Sequence, residues 1–186
     1  MKLSNLLTLL RLLLVPVIAF LLYSKNAGYI LLSILFFIIA VTTDWVDGFI
    51  ARKRKQKSAF GTFFDPLVDK ILILSMFFIF ADLSLVPLWI VLLLLFRELL
   101  VSGVRQYCSD HKHVVGSNWM GKSKFLMQSL VILYTQIFLY FSYSNGNNVF
   151  FNKTIIYYMA LTMTIVSLMY SLVFVYWHRK TLLSDM

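Results

Sequence analysis

Asp44, Asp47, Asp65 and Asp69 are four of the chain's eight acidic residues, and they fall within one short stretch. The stretch reads Asp44-Trp45-Val46-Asp47-Gly48-Phe49-Ile50-Ala51-Arg52, then eight residues, then Gly61-Thr62-Phe63-Phe64-Asp65-Pro66-Leu67-Val68-Asp69. At 3.6 residues per turn, Asp44, Asp47, Gly48 and Ala51 share one helix face, and Asp65 and Asp69 share a face of the next helix. Carboxylates are hard oxygen ligands, which suit Mg²⁺ or Mn²⁺ rather than zinc. Two such ions about 3.5–4 Å apart can clamp a phosphoryl group and stabilise both the attacking and the leaving oxygen. Gly48, Ala51 and Gly61 lack bulk and leave room for a ligand near the backbone. The alternative is structural ion pairing of these acids with Arg52, Lys53 and Lys70.

The rest of the chain makes that pairing costly to leave unexplained. It is 60% hydrophobic, with mean hydropathy +0.82, which excludes an ordinary water-soluble domain. An ionised side chain in a bilayer costs about 2.5–3.5 kcal/mol, so four together demand cations. A net charge of +9 does not point to nucleic acid here, because the basic residues flank apolar stretches instead of forming one face. It fits a membrane protein facing anionic lipids or phosphorylated substrates. The single Cys108 excludes an internal disulfide and reads as an apolar filler.

The expected fold is all-α: one polytopic membrane domain over residues 1–186, a bundle of six transmembrane helices. Each span needs about 20 apolar residues. The first starts at Asn5 or Thr8 and runs to Tyr23, bent at Pro16, as a retained span and not a removed signal. The second covers Tyr29 to Arg52 and the third Gly61 to Ala81. A basic loop, Lys53 to Ser58, joins them. The fourth reaches Tyr107, the fifth covers Trp119 to Phe141, and the sixth Thr154 to Trp177. The loops on one side hold only Lys25 and Lys153 of the basic residues, whereas thirteen gather toward the other: Lys2, Arg11, the five of Arg52 to Lys57, Arg105, Lys112, Lys122, Lys124, Arg179 and Lys180. The positive-inside rule makes that other side, with both termini and the acidic stretch, cytoplasmic.

The spacing D-x2-D-G-x2-A-R-x8-G-x3-D-x3-D is met at every defined position, and by it the chain resembles the CDP-alcohol phosphatidyltransferase family over essentially its whole length. The resemblance implies divalent metal, Mg²⁺ or Mn²⁺ as two ions, on Asp44, Asp47 and Asp65. It implies Asp69 as the general base, with metal contact as its second role. Arg52 would meet the phosphates of a CDP-activated lipid such as CDP-diacylglycerol, with Gly48, Ala51 and Gly61 bordering its cytidine. It further implies a homodimer embedded among membrane lipids, in a bacterial inner membrane.

Asn5-Leu6-Leu7-Thr8-Leu9-Leu10-Arg11 resembles the opening of the phosphatidylglycerophosphate synthase branch, and places Asn5 and Thr8 at the CDP-lipid. Arg97-Glu98 with Arg105, and Gly121-Lys122-Ser123-Lys124 with Gln128, resemble that branch too, although Phe125 departs from its pattern. The implied acceptor is sn-glycerol 3-phosphate. Spacing agrees with an anionic acceptor. Glu98, Ser102 and Arg105 form a polar stripe on the fourth span, and Gly121, Lys124, Gln128 and Thr135 one on the fifth. Arg97, Arg105, Lys122 and Lys124 would then bind a phosphomonoester. The competing readings are mutual neutralisation of Arg97 and Glu98, and snorkelling of Lys122 and Lys124 to the interface. His111 and His113 are too weakly spaced to read as a metal pair. A cardiolipin synthase taking phosphatidylglycerol, or a small cation transporter using the acids as its ion site, are the rival functions.

Overall fold

Without water to satisfy backbone N–H and C=O groups, long apolar runs close their own hydrogen bonds as helices. The computed structural model describes residues 3–54, 59–110, 119–144 and 152–183. Among the described residues it contains six α-helices and no strand: α1 (Leu3–Tyr23), α2 (Ala27–Arg54), α3 (Ala59–Asp82), α4 (Leu88–Asp110), α5 (Trp119–Tyr143) and α6 (Lys153–Leu183). α1 continues through Pro16 as one helix. Several ends lie beyond the apolar runs. Lys53 and Arg54 still belong to α2, and Ser109 and Asp110 to α4, because polar residues prolong a helix without changing hydropathy's account of it. Residues 55–58 of the basic loop, and His111 and His113, lie outside the described residues.

The turns are set by named side chains. Asn26 starts α2, accepting the Gly28 N–H on Oδ1 at 2.8 Å, after Lys25 takes a left-handed φ of 53°. Past the end of α3, Ser84 takes a left-handed φ of 56°. The Leu85 N–H bonds the Phe80 carbonyl at 2.8 Å and the Ser84 N–H bonds that of Ala81 at 2.9 Å, a Schellman closure. Asn152 caps α6 by accepting the Thr154 N–H at 3.0 Å.

The helices pack as a ring in the order α1, α2, α5, α6, α4, α3, closing on α1, with α3 and α5 touching across it. Along its axis the ring has two unlike halves. One half is apolar, built on Ile18, Leu22, Ile30, Phe37, Met76, Phe77, Phe80, Ile90 and Ile132. The other buries Thr8, Arg11, Arg97, Glu98, Gln128, Ser167 and Ser171. Large apolar side chains such as Phe20, Phe96, Leu99, Met169 and Leu172 point outward. Three described helices contain stretches long and apolar enough to cross a membrane: Leu6–Tyr23, Ser123–Tyr143 and Lys153–Trp177. The apolar part of α2, Ala27–Thr43, is shorter. α3 and α4 carry Asp65, Asp69 and Lys70, and Arg97, Glu98 and Arg105, inside their length.

Candidate functional site

The polar half begins with α1. Arg11 is 2% exposed, and an arginine inside so apolar a helix needs a carboxylate. Its Nη1 donates to Oδ1 of Asp69 on α3. At the far end of the same two helices, Tyr23 Oη donates to Asp82 Oδ2 at 2.8 Å. Arg11 and Tyr23 are twelve residues apart and Asp69 and Asp82 thirteen, so α1 and α3 run parallel with matched rise. Thr8 is buried one turn before Arg11.

The second group begins on α3 one residue after Asp69. Lys70 Nζ donates to Ser102 Oγ on α4, and Ser102 Oγ donates to the Glu98 carbonyl one turn back. Lys70 stands within electrostatic reach of Asp69 and Glu98, and of Arg97 and Arg105. Glu98 Oε1 accepts from Arg97 Nη1 at 3.0 Å and from Lys124 Nζ of α5. Arg97 Nε turns to α6, bonding Ser171 Oγ at 2.7 Å and the Ser167 carbonyl at 3.3 Å. Four helices are thus tied by one chain of polar contacts. Among the described residues, three cations (Lys70, Arg97 and Lys124) gather around one carboxylate, which leaves excess positive charge suited to an anion. Arg105 is exposed on the outer part of α4.

Asp44, Asp47, Gly48, Ala51 and Arg52 fall in the second half of α2, and Gly61 and Asp65 in the first turns of α3. Asn5 lies near the start of α1 and Lys122 near the start of α5. The side chains of these residues lie outside the described residues. Their backbone positions all belong to the polar half of the ring. Among the described residues α1 and α5 each touch both α2 and α3. Asp69 pairs with Arg11 across to α1.

Sequence reasoning passed over Arg11, Lys70, Ser167 and Ser171 as site residues, and it saw Ser102 only as part of the polar stripe on the fourth span. For Arg11 the signal was present, since a charge amid eight leucines and valines cannot stay unpaired. For the serines nothing distinguishes a cross-helix ligand from a serine bonding its own helix, as Ser129 does to Phe125. As to a metal, the acid set fits by its chemistry: hard oxygens at i, i+3 and i, i+4 on two helices whose relevant ends belong to one half of the ring.

A sequence model of the family described as CDP-alcohol phosphatidyltransferase matches residues 1–177. Among curated proteins, the chain is 42% identical over 96 residues to the CDP-diacylglycerol–glycerol-3-phosphate 3-phosphatidyltransferase of Bacillus subtilis (strain 168), covering 52% of this chain and 50% of that one. It is 32% identical over 136 residues to the protein of the same name from Salmonella choleraesuis (strain SC-B67), covering 70% and 74%. With that of Haemophilus influenzae it shares 33% over 133 residues, covering 68% and 70%. The match therefore spans half the length of the Bacillus relative and about seven tenths of the other two.

Proposed function

Because this chain belongs to the CDP-alcohol phosphatidyltransferase family, we propose that it transfers the phosphatidyl group of CDP-diacylglycerol to sn-glycerol 3-phosphate, giving phosphatidylglycerol phosphate and CMP. The observation that carries this reading is the assembly, in one half of the helical ring, of the acid-bearing segments of α2 and α3 with the cation cluster of Lys70, Arg97 and Lys124. The relatives' names supply the acceptor.

In this reading Asp44, Asp47, Asp65 and Asp69 hold divalent metal, Mg²⁺ or Mn²⁺, as two ions. Bound there, the metal supplies charge stabilisation at the transferring phosphoryl group. The chain's own residues do the rest. Arg52 holds the donor's phosphates, with Gly48, Ala51 and Gly61 at the cytidine and Asn5 and Thr8 along the CDP-lipid. Arg97, Arg105, Lys122 and Lys124 draw the acceptor's phosphate, Arg97 and Lys124 sharing their charge with Glu98. Asp69, oriented by Arg11, takes the proton from the acceptor's primary hydroxyl as that oxygen bonds the lipid-linked phosphorus. The bond from this phosphorus to CMP breaks, and CMP leaves with the electron pair.

The protein is proposed to span a bacterial inner membrane as a six-helix bundle, charged segments of α2, α3 and α4 turned inward, with the site open to the cytosol. The basic residues on the terminal side support that orientation. A homodimer is proposed on the family resemblance. The test is CMP release from CDP-diacylglycerol by purified protein, expected only when both glycerol 3-phosphate and Mg²⁺ or Mn²⁺ are present. Release without an acceptor alcohol, or in EDTA, contradicts the reading.

A further inference from the structure

The polar chain across α3, α4 and α5 is unevenly satisfied at two atoms. Arg97 and Lys124 both donate to the same oxygen of Glu98, Oε1. Among the described residues nothing donates to Oε2. Gln128 is the second case. It lies one helical turn beyond Lys124 on the same face of α5 and is 2% exposed, yet its Nε2 donates to nothing among the described residues. A buried amide donor without an acceptor is costly, and a ligand that supplies the acceptor removes that cost.

One open acceptor and one open donor, both beside Lys124, match the needs of an alcohol. A hydroxyl donates one hydrogen bond and accepts another. In sn-glycerol 3-phosphate the C2 hydroxyl does not react. It lies between the primary hydroxyl that attacks and the phosphate. Glu98 accepts from Lys124 and Arg97 and stands within electrostatic reach of Lys70, the neighbour of Asp69. We propose that Glu98 and Gln128 form the subsite for the acceptor's non-reacting secondary hydroxyl, Glu98 Oε2 accepting from it and Gln128 Nε2 donating to it. The two residues then determine that the acceptor is a polyol phosphate and not any phosphorylated primary alcohol. This inference rests on the proposed acceptor.

The test compares two acceptors, sn-glycerol 3-phosphate and propane-1,3-diol monophosphate, which keeps the primary hydroxyl and the phosphate and lacks the C2 hydroxyl. Wild-type protein should prefer glycerol 3-phosphate in kcat/KM by on the order of a hundredfold, as a buried charged partner does for a hydroxyl. Gln128→Met, which keeps volume and leaves the ion pairs of Glu98 in place, should shrink that ratio at least about tenfold, and Glu98→Gln likewise. A counter-ion role for Glu98 would slow both acceptors together and leave the ratio where it was. Equal use of the two acceptors by wild type, or an unchanged ratio in Gln128→Met, overturns the subsite while the transfer to glycerol 3-phosphate stands. Failure of wild type to use glycerol 3-phosphate at all overturns both.

Discussion

Arg11 of α1 and Asp69 of α3 form an ion pair inside the helical ring, fifty-eight residues apart in sequence. Arg11 is almost wholly buried, and the Asp69 side chain keeps 24% of its exposure, so the pair sits where the polar half opens. It fastens the helix that precedes the acidic stretch to the helix that ends it. Removing one partner of a buried pair costs about 3–5 kcal/mol, and the part-exposed Asp69 places this one near the lower figure. Arg11→Met should therefore lower the thermal unfolding midpoint in detergent and slow transfer. In a double-mutant cycle, Arg11→Met and Asp69→Asn should be far from additive. Additive effects on the midpoint would show that the two residues do not act as a pair.

On the proposed mechanism, Asp44→Asn, Asp47→Asn and Asp65→Asn each remove a metal oxygen's charge. Each should cut CMP release at least about a hundredfold, with the variants still inserting and eluting as folded protein. Calorimetric titration with Mn²⁺ should show weakened binding in the same variants. Near-normal release from any one would remove that residue from the metal site.

Arg105, Lys122 and Lys124 are proposed to meet the acceptor's phosphate. Changing any one to Gln should raise the KM for glycerol 3-phosphate about ten- to a hundredfold, and that for CDP-diacylglycerol far less. Lys124→Gln should have the largest effect, because it also releases Glu98 Oε1 from its lysine contact. Unchanged acceptor kinetics in all three would assign these residues to the membrane interface.

Access to the site follows from orientation. Single-cysteine variants Ser58→Cys and Asn147→Cys, each combined with Cys108→Ser, report it. Cys108 is fully buried, so its replacement removes background without touching the surface. A membrane-impermeant thiol reagent, applied to intact cells with any outer membrane permeabilised, should label the Asn147→Cys protein and spare Ser58→Cys. The reverse pattern would put the acidic stretch on the side that cytosolic substrates do not reach.

The helices were legible in the sequence because apolar runs of about twenty residues alternate with polar breaks, and each break holds a turn-forming residue such as Asn26 or Asn152. Their ends were less so. Lys53, Arg54, Ser109 and Asp110 read as loop by hydropathy but carry on the helices before them. The motif's spacing named the acids and the likeness to a family. It did not reveal that, among the described residues, α1 and α5 each pack on both α2 and α3, since packing order depends on which faces fit and not on position along the chain. For the same reason Asp69 looked like a partner for Lys70, when Lys70 reaches instead to Ser102 on α4. Arg97 and Glu98 do neutralise one another, as one reading held. The same pair also binds Lys124 and α6, which no reading of a single helix could supply.

The most direct test of the proposed transfer is the identity of the lipid made by purified protein. CDP-diacylglycerol and Mg²⁺ or Mn²⁺ would be supplied with glycerol 3-phosphate, phosphatidylglycerol, serine or choline in separate reactions, and the products identified by mass. Phosphatidylglycerol phosphate, formed with glycerol 3-phosphate and in step with CMP, is the predicted result. Cardiolipin from phosphatidylglycerol, with no product from glycerol 3-phosphate, would contradict it.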